Sequence, residues 1–210
     1  MVNINDYKAQ SSKDKLMTIF ERQAGLMQKY HEIEKANGFH VCLKADLHDA
    51  FDQQRIKDFA WRITEEMGEA LEAFRIHENL DHMEEEIADA LHFFVELNIM
   101  VGYMPDYSLE TMYKMHRPKT MAFLERNSAC LTYRVGAVVE RLAIMCNTLK
   151  NKPWKQSQLL TDEKYFIECL GEVWVTFIQL CIVAKIGPDK LYDLYFRKSK
   201  VNEFRQRSAY

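Results

Sequence analysis

Thr64-Glu65-Glu66-Met67-Gly68-Glu69-Ala70 and Glu84-Glu85-Glu86-Ile87-Ala88-Asp89-Ala90-Leu91-His92-Phe93 decide how this chain is read. Each segment holds an acid pair three residues apart, Glu66/Glu69 and Glu86/Asp89. Residues at that spacing lie about 60° from each other round a helix, so each pair projects to one side. With Ile63 marking the core direction, Glu66 and Glu69 stand on the flank of an apolar stripe. Glu86 and Asp89 do the same between Ala90, Phe93 and Leu97. Glu65, Glu84 and Glu85 face elsewhere and read as surface acids. If the two segments form an antiparallel helical hairpin, the four flank carboxylates converge. Carboxylates held that close repel one another and resist burial unless cations sit between them. Hard oxygen donors select a hard divalent cation, and Mg²⁺, which keeps waters for a phosphate ligand, is the natural occupant.

Outward from these segments the apolar spacing is helical throughout. It predicts helices over 12–36, 52–77 and 82–101, then a short helix capped by Ser108 and ended before Arg117-Pro118. Further helices are expected over 120–149 and 163–186, and a last one from about Asp189. In the first, Leu16, Ile19, Phe20, Leu26, Met27, Tyr30 and Ile33 form the stripe, and Gln23 breaks it with an amide. An inward amide can bridge neighbouring helices, or it can read a base edge, since it carries both a donor and an acceptor. In the second, Ile56, Phe59, Ile63, Met67, Ala70, Leu71 and Phe74 share a face. Trp61 reads as packing. Trp154, between Lys152 and Lys155, reads as core cover, with stacking on a base as the functional alternative. His92 fits a core histidine and a pocket residue equally. A faint repeat sets Phe94-Val-Glu-Leu-Asn-Ile beside Phe177-Ile-Gln-Leu-Cys-Ile, as though a helix pair had been duplicated and one copy had kept the acids. The fold expected is an all-α helical bundle in one domain, 1–210. Its acidic half covers about 12–117; a scaffold half and a basic C-terminal segment cover about 118–210.

Composition narrows the class. Seven glycines and four prolines in 210 residues are too few for a strand-rich fold with many tight turns. A net charge of −3 makes no case for a nucleic-acid or membrane partner. Locally, Glu65 to Glu86 is acidic, while Arg197 to Tyr210 carries five basic groups and one acid. A metal–polyphosphate site needs both from one chain, although a solvated acidic face and a frayed tail would also produce them. The five cysteines (Cys42, Cys130, Cys146, Cys169, Cys181) show no C-x-x-C spacing, so neither a zinc site nor a disulfide framework is expected. The polar start lacks a signal-peptide pattern, and Gln179 and Lys185 interrupt the most apolar run, Val173 to Ile186, leaving it short for a bilayer. A cytoplasmic location is expected.

E-x-x-E followed by E-x-x-D on neighbouring helices resembles the all-α nucleotide pyrophosphohydrolase superfamily, related to MazG. The likeness runs to its dimeric dUTPases and phage dCTPase/dUTPase enzymes. Glu86-Ile-Ala-Asp89-Ala-Leu-His92-Phe93 is similar to their second acidic motif, and Gln23 falls where they have a base-reading glutamine. Lys198-Ser-Lys-Val-Asn202-Glu-Phe-Arg205-Gln206, followed by Tyr210, is similar to their phosphate-binding tail. Ser199 stands where the family has asparagine, and Arg207 and Ala209 where it has aspartate and glycine.

The resemblance implies hydrolysis of a pyrimidine deoxynucleoside triphosphate, dUTP and/or dCTP, to the monophosphate and pyrophosphate, by a homodimer. Glu66, Glu69, Glu86 and Asp89 would hold two or three Mg²⁺ ions, with Mn²⁺ as a substitute, and Glu69 together with Glu66 would serve the catalytic step. Gln23, His92, Phe93, Lys198, Asn202, Arg205 and Tyr210 would bind the nucleotide. Three rivals remain. A MazG-like enzyme would act on other or purine nucleotides. A di-iron bundle would use Asp89-x-x-His92 but needs a second such motif. A non-catalytic helical binding protein leaves the paired acids and basic tail unexplained.

Overall fold

The computed structural model describes residues 14–124 and 130–207. The described residues hold seven helices: α1 Lys15–Ala36, α2 Ala50–Arg75, α3 Leu80–Met100, α4 Leu109–Leu124, α5 Cys130–Thr148, α6 Glu163–Val183 and α7 Pro188–Arg207. Side chains set where several of them begin. Asp49 accepts from the N–H groups of Phe51 and Asp52 at the start of α2, and Asn79 does the same for His82 in α3. The turn between α2 and α3 is so short that the two must run antiparallel, as the acid pattern required. The two bury Ile56, Phe59, Ile63, Met67, Ile87, Leu91 and Phe94 completely or nearly so.

α1 and α7 pack on α3, α5 on α2, and α4 on α6. The long connection before α2 is fastened where His40 Nε2 meets Asp52 Oδ1 at 2.6 Å, while the other Asp52 oxygen accepts the Asp46 N–H at 2.8 Å. None of the five cysteines is in a disulfide, and Cys130, Cys169 and Cys181 are buried. By length and apolarity alone α6 could cross a bilayer, despite Gln179. However, 56% of its most apolar window is buried in the helical body, as in a core helix.

Several expectations need correction. α4 does not stop before Pro118 but runs through it to Leu124. Proline removes one N–H and crowds the preceding turn, yet continuing the helix buries Thr120 on the face that already carries Leu109, Met112 and Tyr113. Tertiary burial overrides the local breaker. Thr120 therefore belongs to α4, and the next described helix is Cys130–Thr148. Trp61 is 61% exposed, its Nε1–H donating to Glu65, and Trp154 is 73% exposed beneath the Lys152 ammonium. Neither is core. Glu84 is buried against Lys190 rather than lying on the surface, and Ile33 and Phe74 are exposed at the ends of their stripes.

Candidate active site

α1, α2, α3 and α7 enclose a cavity of about 280 Å³. Its acidic end is built across the hairpin seam. Glu66 of α2 and Glu86 and Asp89 of α3 each offer an oxygen, all within 4.8 Å of one another. Burial, then a hydrogen bond from Glu66 to Glu86 and repulsion from Asp89, pushes the Glu66 carboxyl up to about 8. Burial raises Asp89 to about 6, against the opposing pull of Lys198. The Lys198 ammonium pairs directly with Asp89. Burial would lower this lysine, and the ion pair outweighs it, holding the group above its usual range. Three hard oxygens crowded within 4.8 Å of one another suit a divalent cation, which would supply the missing positive charge.

Glu69 does not join the trio. It is exposed one turn further along α2, close enough to raise Glu66 by repulsion but outside the group of converging oxygens. A further step of about 60° round α2 carries it off the seam. His82 stands beside the trio from outside, its Nδ1 3.1 Å from Glu86.

The opposite end of the cavity is a buried polar network. Gln23 Nε2 donates to Glu96 Oε2 at 2.9 Å, and Gln23 Oε1 accepts from the Tyr195 hydroxyl at 2.7 Å. His92 is 4% exposed, and its ring stacks on Tyr195 with centroids 4.0 Å apart. Its Nδ1 is 2.9 Å from Gln23 Oε1 and its Nε2 is 3.2 Å from the Tyr195 carbonyl. Burial pushes His92 down to about 3, so the ring is neutral and donates once. Both nitrogens face acceptors, so the neutral ring can satisfy only one of the two contacts. His92 is thus both a core histidine and a wall of the cavity.

Phe93 contributes a ring to the lining, and Arg62 lies 5.7 Å above that ring while pairing with Glu34 and Asp58. From α7, Lys198, Asn202 and Arg205 face the cavity. The adjacent face of α7 grips α1: Arg22 Nε donates to the fully buried Ser199 hydroxyl at 2.6 Å and its other arm meets Glu203 at 2.7 Å. A small hydroxyl at position 199 thereby becomes the acceptor that fixes the tail.

Of the residues singled out in the sequence, Gln23, Glu66, Asp89, His92, Phe93, Lys198, Asn202 and Arg205 line this one cavity, and Glu86 stands at its acidic end. Tyr210 lies outside the described residues. Arg62, Glu96, Tyr30 and Glu34 also line it and were not anticipated. Glu96 lies seven residues after Asp89 and four after His92, and Arg62 four before Glu66, so helical spacing held the signal. A larger groove of about 860 Å³ runs between α4 and the end of α6, but it is largely apolar, with Glu110 its single acid, and brings no carboxylates together.

A family model described as dUTPase matches residues 15–210. No curated protein and no solved structure gives a match.

Proposed function

The chain belongs to the dUTPase family, a family of nucleotide pyrophosphohydrolases, and on that premise we propose that it splits dUTP and/or dCTP into the monophosphate and pyrophosphate with Mg²⁺. One observation carries this reading. A single cavity joins a carboxylate trio to a buried amide–acid pair, with Asp89 and Glu96 seven residues apart on α3. At about 1.5 Å per residue that is roughly 10 Å, the scale on which a nucleotide separates its phosphates from its base.

In this reading Glu66, Glu86 and Asp89 hold the cation. Bound there, Mg²⁺ would neutralise phosphate charge and lower the cost of making a nucleophile from water. With a cation bound, Asp89 would give up its ion pair with Lys198, whose ammonium would then be free to meet a phosphate oxygen. Arg205, seven residues on and so on the same face of α7, neutralises a second. Glu69, at the exposed rim, draws the proton from the attacking water. Phe93 offers a ring face for stacking, and Gln23 presents its amide to the base. Exposed apolar side chains such as Trp154 and Leu160 are of the kind a second copy would cover, and the homodimer is tested by the mass from light scattering.

Pyrophosphate release from dUTP, dCTP, dTTP, dATP and dGTP, each with Mg²⁺ and with EDTA, tests the proposal. Mg²⁺-dependent release confined to pyrimidines supports it. Release from purine nucleotides would move the chain to a broader substrate class, and no release would leave a binding protein.

A further inference from the structure

Two acids at the base end of the cavity, Glu34 and Glu96, play no part in the proposed hydrolysis. Glu34 is taken up by Arg55 and Arg62. Glu96 has no such arginine. It is 5% exposed, one oxygen accepts from Gln23, and the other lies 3.9 Å from His31 Nε2, beyond hydrogen-bonding reach. His31 is itself buried, with neither ring nitrogen hydrogen-bonded. A carboxyl placed in the lining of a cavity with so few partners has accepting capacity to spare.

Counting the hydrogen bonds of Gln23 fixes what the wall offers. Its oxygen accepts from the Tyr195 hydroxyl and lies 2.9 Å from His92 Nδ1. Its nitrogen gives one proton to Glu96 and keeps one. The wall therefore presents one N–H donor beside one carboxylate acceptor. We propose that Glu96 acts with Gln23 in reading the base, its carboxylate accepting a base N–H, so that Glu96 is a specificity-determining residue for the reaction proposed above, on which this inference rests.

The chemistry of the pyrimidine edge says what such a pair accepts. Cytosine sets its N4–H against the carboxylate and its N3 against the Gln23 N–H. Uracil shifts by one position, setting N3–H against the carboxylate and a carbonyl oxygen against the N–H. One donor beside one acceptor thus serves both dCTP and dUTP.

Burial alone does not distinguish a base-reading Glu96 from one that merely holds Gln23 in place. The test therefore deletes the contact from both sides. Wild type, Glu96→Leu and the shape-preserving Glu96→Gln are assayed for kcat and KM with dUTP, with dCTP, and with the 2-pyrimidinone deoxynucleoside triphosphate, which is dCTP without its N4 amine. Wild type is expected to prefer dCTP to the pyrimidinone by roughly tenfold or more in kcat/KM, the scale for losing one hydrogen bond to a charged group. Glu96→Leu should reduce that preference to about twofold or less, with the loss on dCTP and dUTP falling mainly on KM, and Glu96→Gln, whose amide oxygen can still accept, should recover part of it. A purely structural Glu96 would lower all three substrates alike and leave the dCTP preference intact; that result overturns the inference. So does a wild type that takes dUTP and refuses dCTP, since one pair of groups would then not serve both. If wild type cleaves no pyrimidine nucleotide, the function proposed above falls first. If it cleaves them and the variants discriminate as it does, the role of Glu96 falls alone.

Discussion

Two helical hairpins of this protein share an apolar frame and differ in what stands on their seams. In α3 the frame is Phe94-Val-Glu-Leu-Asn-Ile; in α6 it is Phe177-Ile-Gln-Leu-Cys-Ile. The leading phenylalanines of the two frames meet, ring centroids 5.8 Å apart, so the hairpins share one core. Where α3 has Glu96 in the cavity wall, α6 has Gln179, bonded to Arg134 of α5. Where α3 has Asn98, which accepts the Trp174 indole N–H at 2.9 Å, α6 has the fully buried Cys181. The second hairpin has acids too, Glu168 and Glu172, but α5 answers them with Arg141 and Ile144. Among the described residues it brings no three potential ligands together. An acid pair on one helix is a surface. Only when the facing helix adds its own acids on the same seam are the carboxylates brought together and buried.

The largest effect that could break this contrast comes from the seam itself. Glu66→Gln, or Asp89→Asn, should lower Mg²⁺-dependent pyrophosphate release by about a thousandfold or more. Glu172→Gln on the second hairpin should stay within about twofold. Equal losses would erase the distinction between the hairpins. Lys198→Ala comes next: with its phosphate partner gone, KM should rise by roughly ten- to a hundredfold. Because the variant also loses the ion that pairs with Asp89, its Mg²⁺ requirement should tighten rather than weaken.

Protonation offers a smaller and independent test. Glu66 and Asp89 both have folded pKa values above the ordinary carboxyl range, about 8 and about 6. A carboxyl raised on folding contributes stability below its unfolded value, and that contribution is lost as pH rises through the folded one. The Tm of the protein in EDTA should therefore fall as pH climbs from about 5 to about 9, and Mg²⁺ should restore it at the alkaline end. Glu66→Gln should flatten the slope; an unchanged slope would detach it from the trio. Smallest of all, Gln179→Glu places the acid of α3 into α6, where Arg134 is ready to pair with it. No gain of activity or metal binding is expected, and a stability change within about 1 kcal/mol by denaturant melt.

Much of this was legible in the residues. Three of the four helices that enclose the cavity were visible as apolar stripes, the fourth only as a helix starting near Asp189, and eight of the residues singled out line it. The rest failed for particular reasons. Glu69 shares a spacing with Glu66, but the step of about 60° round α2 leaves its side chain exposed beside the converging oxygens rather than among them. Glu96 was hidden because Phe94, Val95 and Leu97 surround it, so it read as one polar residue in an apolar repeat. Trp61 could have been recognised as exposed: two residues before the buried Ile63, it stands about 200° round the helix. Pro118 misled because local chain preference was judged without the burial of Thr120 that outweighs it.

The most direct test is anomalous diffraction from crystals of the protein grown with Mn²⁺. The metal-centre reading expects manganese between Glu66, Glu86 and Asp89, with Lys198 drawn away from Asp89. Manganese absent from that seam and bound elsewhere, for instance at the His40–Asp52 tie, would contradict it.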